Sequence, residues 1–266
     1  MQSSAKIAAV DQKLSLLLQQ ALTADKDELF LVIQTQQVEV LHAALRNPHL
    51  DEKHLLALLK KRGLPEELFS ALYAAKRFID NQQVVFALVC HPETPSHIAL
   101  TLLPHLSIFD LIKICQIQGV SPDQRMAAER TIIQRLPAQP LGNKLALARR
   151  GTAAVVDALL KEGIPPLVEA CLDNPHLKEG SVHQLITSAA STAEIISIVG
   201  RSSRWKGRPN IRLVILKNPR TPAIWFTMFL PGLPQNTVRE LLSVPRLTSA
   251  QKDLVRQALG SRRPPS

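Results

Sequence analysis

The sequence predicts an all-α chain, a right-handed α-solenoid of about six three-helix repeats of roughly 44 residues each. Two observations carry this expectation. Apolar residues make up 45% of the chain and aromatics only 4%, so the core is aliphatic, with Leu, Ile, Val and Ala recurring at helical spacing. Proline marks also return at nearly constant intervals. Asn47-Pro48, His91-Pro92, Leu136-Pro137, Asn174-Pro175 and Asn218-Pro219 each end one apolar stretch and open the next, at steps of 44, 45, 38 and 44 residues.

Each mark has a chemical reading. Asn tolerates the left-handed conformation that closes a helix, and the following Pro prevents its continuation. A second proline stands three residues on at Pro95, Pro140 and Pro222, where Thr94 and Thr221 read as N-caps with Pro at the first helical position. Asp51 and Lys178 hold that place in the other two copies.

Taken in order, a degenerate first copy has helices over 11–22, 26–34 and 36–46. The copy opened by Pro92 has helices over 95–103, 107–116 and 122–135, the last starting at a Ser121-Pro122 cap. The final copy has helices over 222–229, 235–242 and 249–259. One domain over 1–260 results, in units of about 4–46, 47–90, 91–135, 136–173, 174–217 and 218–260, followed by a disordered basic tail, 261–266. The short 136–173 unit implies a local kink. In all, 17 or 18 helices and no sheet are expected.

Charge is distributed unevenly. Residues 1–200 hold 19 Lys/Arg and 20 Asp/Glu, a net of −1, whereas 201–266 hold 13 Lys/Arg against Glu240 and Asp253, a net of +11. Such an end attracts an acidic protein, nucleic acid or anionic lipid. No apolar run approaches the roughly 18 residues of a membrane span. Cys90, Cys115 and Cys171 are unpaired in spacing, which fits a reducing, cytoplasmic setting. Gly-rich phosphate loops, G-x-S-x-G, H-E-x-x-H and C-x-x-C are all missing, so neither enzyme chemistry nor a cofactor or metal is expected. Glu67, Asp110 and Glu194 recur with the repeat near the start of middle helices, where acids complement the helix dipole rather than form a catalytic set.

The Asn-Pro marks, with Ile211-Arg212-Leu213-Val214 and Leu254-Val255-Arg256-Gln257-Ala258, resemble the HEAT and armadillo class of helical repeats. Asn218-Pro219-Arg220-Thr221-Pro222 is similar to short repeats of uncharacterised bacterial solenoid proteins. The resemblance implies a binding scaffold, and the leading expectation for the chain is a non-enzymatic one whose superhelical surface binds a protein partner.

Two candidate surfaces follow. In Arg201-Ser202-Ser203-Arg204-Trp205-Lys206-Gly207-Arg208, four cations flank one indole on a predicted loop. That suits phosphate contact with base stacking, or an acidic peptide, unless Trp205 folds back into the core. Arg208 and Arg212, placed beside Lys252 and Arg256 by the repeat, would form one cationic strip, or else a structural ladder. Trp225 lies in the densest apolar segment and reads as core. An acidic protein partner is the first expectation and nucleic acid the second.

Overall fold

The computed structural model describes residues 2–35 and 37–261, with side chains from residue 12 onward. Among these residues there are eighteen α-helices and no strand, as the spacing predicts. The predicted tail over 261–266 falls almost wholly outside them. The chain divides into two units, Met1–Ile132 and Ile133–Ser266.

The first unit holds α1 (Gln2–Thr23), α2 (Lys26–Val32), α3 (Val38–Ala44), α4 (Glu52–Leu58) and α5 (Glu66–Ala74). It continues with α6 (Gln82–Cys90), α7 (Ser96–Leu102), α8 (Ile108–Gln116) and α9 (Pro122–Arg135), within which the boundary falls. Within this unit α1 packs on α3, α3 on α5 and α5 on α7, while α2 packs on α4 and α4 on α6. The helices therefore stack next-but-one, in two rows. The packing step is two helices, although the Asn-Pro mark recurs every third.

The second unit holds α10 (Leu141–Arg150), α11 (Ala153–Leu160), α12 (Pro165–Leu172), α13 (Glu179–Thr187) and α14 (Ala193–Arg201). It ends with α15 (Pro209–Lys217), α16 (Ala223–Phe229), α17 (Gln235–Leu241) and α18 (Ser249–Gly260). Its rows run α10, α12, α14 and α11, α13, α15, with α16 on α18.

The two units share one layout at a constant offset of 127 residues, as in Asn174 against Asn47, Asn218 against His91 and Gln251 against Gln124. Helices α14, α15 and α16 reproduce the bounds of α5, α6 and α7 at that offset. The hydrogen bonds repeat as well. Asn47 Nδ2 donates to Ala21 O and Ala24 O, both at 3.0 Å, and Asn174 Nδ2 donates to Ala148 O at 2.7 Å and Gly151 O at 3.2 Å. The 38-residue interval that suggests a kink is thus the remainder that completes a nine-helix duplication.

These bonds correct the reading of the marks. Among the described residues none but glycine has positive φ, and Asn218 is extended at φ −87°, ψ 126°. The mark asparagines do not use the left-handed conformation. Each instead turns its amide onto carbonyls left open at an earlier helix end and accepts, through Oδ1, the N–H two residues on. His91 does the same with a ring: Nε2 donates to Lys61 O at 2.8 Å and Nδ1 accepts from Glu93 N at 3.2 Å. Thr94 and Thr221 are not N-caps either. Pro95 and Pro222 occupy the caps, and each threonine hydroxyl donates back to a carbonyl six residues earlier, Leu88 O or Ile215 O.

Apart from α4, which Asp51 caps directly after the first mark, side-chain caps start helices other than those the marks open. Asp25, Asp51, Asn81 and Ser107 cap α2, α4, α6 and α8, and Thr192 and Thr248 cap α14 and α18. Ser121 Oγ also accepts from Gln124 N, as its Ser-Pro signature predicts. Glu67, Asp110 and Glu194 lie in first turns, where the dipole argument places them.

Candidate interaction surface

The 201–208 segment folds inward. Trp205 is fully buried, and its Nε1 donates to Leu172 O at 2.9 Å. Arg204 reaches back to the carbonyls of Asn174, Pro175 and Leu177. The guanidinium groups of Arg204 and Arg208 each stand 4.8 Å from the indole centroid. The same device exists in the first unit, where Arg77 donates to Leu45 O and Asn47 O and lies 4.4 Å from the ring of Phe78. Arg204 and Trp205 are therefore a helix-end clamp and its packing residue, and no indole is left for a base to stack on. The sequence holds this signal, because an Arg-aromatic pair follows both Asn-Pro-His-Leu marks at equal distance.

The proposed strip also separates. Arg208 pairs with Glu179 at 2.6 Å, and this hydrogen bond, with a second from Asn210, holds the Glu179 carboxyl below its usual range. Arg212 turns the other way: its Nε donates to Lys206 O at 2.6 Å and its guanidinium lies 5.5 Å from the Phe229 ring. Arg256 pairs with Asp253 within its own helix at 2.6 Å. α15 packs on α13, α14 and α16, whereas α18 packs on α16 and α17. A two-helix step sends α15 and α18 to different rows, where a three-helix step would have aligned them.

Other cations are left free. Arg201, Lys206, Lys217, Arg239 and Arg246 are exposed and, like the half-buried Lys252, make no side-chain hydrogen bond or ion pair to any described residue. Arg239 and Arg256 line a hollow of about 300 Å³ with Gln235, Leu259 and Gly260. On α16, Ile224 and Met228 are 57% and 58% exposed one turn apart. Beneath them Trp225 is core, as predicted, with Nε1 donating to Ser197 Oγ at 3.1 Å. Its ring lies where a Cβ on Gly200 would come within 2.8 Å, so that glycine is required by close approach.

The duplication acts as an internal control. At the positions of Arg201, Lys206, Lys217, Arg239 and Arg246 the first unit has Ala74, Ile79, Cys90, Ile112 and Gly119. Ile224 and Met228 correspond to His97 and Thr101. The same layout folds without these cations and without this exposed apolar pair, so the fold does not call for them.

Cys90, Cys115 and Cys171 are free thiols, pushed up by burial to about 11, 11 and 12, which keeps them protonated at neutral pH. No helix among the described residues is long and apolar enough to cross a membrane. The chain matches no family model, no curated protein and no solved structure.

Proposed function

We propose that the chain is a non-enzymatic helical-repeat scaffold of the solenoid type, whose second unit binds an acidic protein partner. The observation that carries this reading is the difference between the two units. Five cations without a side-chain partner among the described residues and an exposed Ile224/Met228 pair stand on the second unit, where the first has neutral or polar residues. A protein segment with acidic and apolar side chains uses both features, since apolar contact supplies affinity and charge supplies orientation and on-rate. Nucleic acid would use the cations and leave Ile224 and Met228 idle, and the burial of Trp205 removes its stacking residue.

The test is affinity purification on the full chain, with and without nuclease, beside two variants. One carries Ile224→Ser and Met228→Ser, the other Lys206→Glu and Arg239→Glu. A partner that survives nuclease and is lost from both variants supports the proposal. Recovery that disappears with nuclease assigns the surface to nucleic acid, and a nuclease-resistant partner that ignores the apolar variant overturns the role given to Ile224 and Met228.

A further inference from the structure

A cavity of about 190 Å³ opens in the second unit between α11 and α13, lined by Asp157, Leu160, Lys161, Ser181, Gln184, Leu185, Ser188 and Ala190. The first unit carries larger side chains at the corresponding positions. The counterparts of Asp157, Ser181 and Ser188 are Phe30, His54 and Lys61. There the Phe30 and His54 rings lie 4.2 Å apart, and His54 Nε2 reaches Lys26 O at 2.7 Å. The Lys61 ammonium donates to Ile33 O at 2.9 Å and Thr35 O at 2.6 Å. A buried imidazole and an ammonium group thus occupy the corresponding place in the first unit, with the Phe30 ring 37% exposed beside them. In the second, an aspartate and two serines replace them.

The replacement puts a half-buried carboxylate on the wall of that space. Asp157 Oδ1 is buried without any hydrogen-bond partner. Lys161, one turn away, is exposed and makes no ion pair with it. A carboxylate oxygen shielded from water without a donor carries a desolvation penalty that a cationic partner would remove. The carboxylate stands beside a helix end whose first-unit counterpart holds an ammonium group.

We propose that this cavity binds a small organic ammonium ion, a primary amine with an apolar stem. The ammonium meets Asp157 and the hydroxyls of Ser181 and Ser188, while Leu160, Leu185 and Ala190 cover the stem that takes the place of the Phe30 and His54 rings. The volume suits the stem, being roughly six waters at ~30 Å³ each. A free amine and a lysine side chain presented by a peptide share this chemistry. The inference is independent of the cationic surface and survives its failure.

The experiment uses the full chain with phenethylammonium and n-butylammonium chloride, read by calorimetry and by shifts in melting temperature. Phenethyl alcohol and n-butanol serve as neutral isosteres, and the tripeptide Gly-Lys-Gly as the peptide source. Binding by the amines but not by the alcohols is expected. Asp157→Asn should weaken it about tenfold or more, as loss of a charge-assisted bond does. Ser188→Lys, which supplies the first unit's own ammonium, should fold normally and abolish binding. Tighter binding of the tripeptide assigns the site to a partner's lysine, and tighter binding of the free amine to a small molecule. The proposal is overturned if no amine binds at about 10 mM, if alcohols bind equally, or if Asp157→Asn or Ser188→Lys binds undiminished.

Discussion

Replacing Asn174 tests whether the mark asparagines hold the stack together. The side chain is 1% exposed and makes three hydrogen bonds, to Ala148 O, Gly151 O and His176 N. Asn174→Ala leaves two buried acceptors and one donor unmet, at about 1 kcal/mol each, for a loss of about 3 kcal/mol. Asn174→Asp is the sharper variant. It keeps the acceptor for His176 N but turns a carboxylate oxygen onto two carbonyls, so at neutral pH it should cost more than alanine. The introduced carboxyl has a folded pKa raised above the unfolded ~3.9, because only its protonated form can donate to those carbonyls. Its folded state is therefore favoured below the unfolded pKa, and that advantage is lost as pH rises through the folded value. The Asp variant should accordingly regain stability relative to Ala on acidification. Urea unfolding followed by circular dichroism at neutral and acid pH measures both effects. Because all three bonds stay within the second unit, hydrogen exchange should accelerate there first. An Asn174→Ala protein within about 0.5 kcal/mol of the parent would refute the reasoning.

Three further outcomes follow from the packing and the charges. Gly200→Ala places a methyl against the Trp225 ring and should cost about 1–3 kcal/mol, seen as a lower urea midpoint and altered tryptophan fluorescence. Trp205→Ala should cost about 3–5 kcal/mol as a fully buried aromatic, where an exposed stacking residue would leave stability unchanged and alter binding only. Arg208→Gln should let the Glu179 carboxyl rise toward its ordinary value in an NMR titration. In the parent, the depressed Glu179 value means that its contribution is present above the usual Glu range and is lost as pH falls through the folded value.

Local physics made much of this protein legible in its sequence. Apolar spacing placed the helices, Ser121-Pro122 announced its cap, and acids such as Glu67, Asp110 and Glu194 fell in first turns because the dipole acts over a few residues. Trp225 read as core from the apolar run around it. What failed in each case depended on partners distant in sequence. The Asn and Thr of the marks look like local caps, yet Asn47 acts on carbonyls 23 and 26 residues earlier. Arg204 and Trp205 look like a binding loop, yet their partners lie 27 to 33 residues back. The 127-residue duplication was present in the sequence, spread over weak correspondences such as His91 with Asn218, which share a hydrogen-bonding job and no side chain.

The sequence by itself determined the all-helical class, the helix positions and the concentration of positive charge after residue 200, since each depends on composition or on neighbours within a few positions. The tertiary structure alone decided which helices stack, and so separated Arg208 and Arg212 from Lys252 and Arg256. It also decided which cations are spent on carbonyls and acids and which are left free, and it opened the cavity at Asp157. A side chain's role in a stacked array is set by the loop of the preceding step, and only the fold brings that loop within reach.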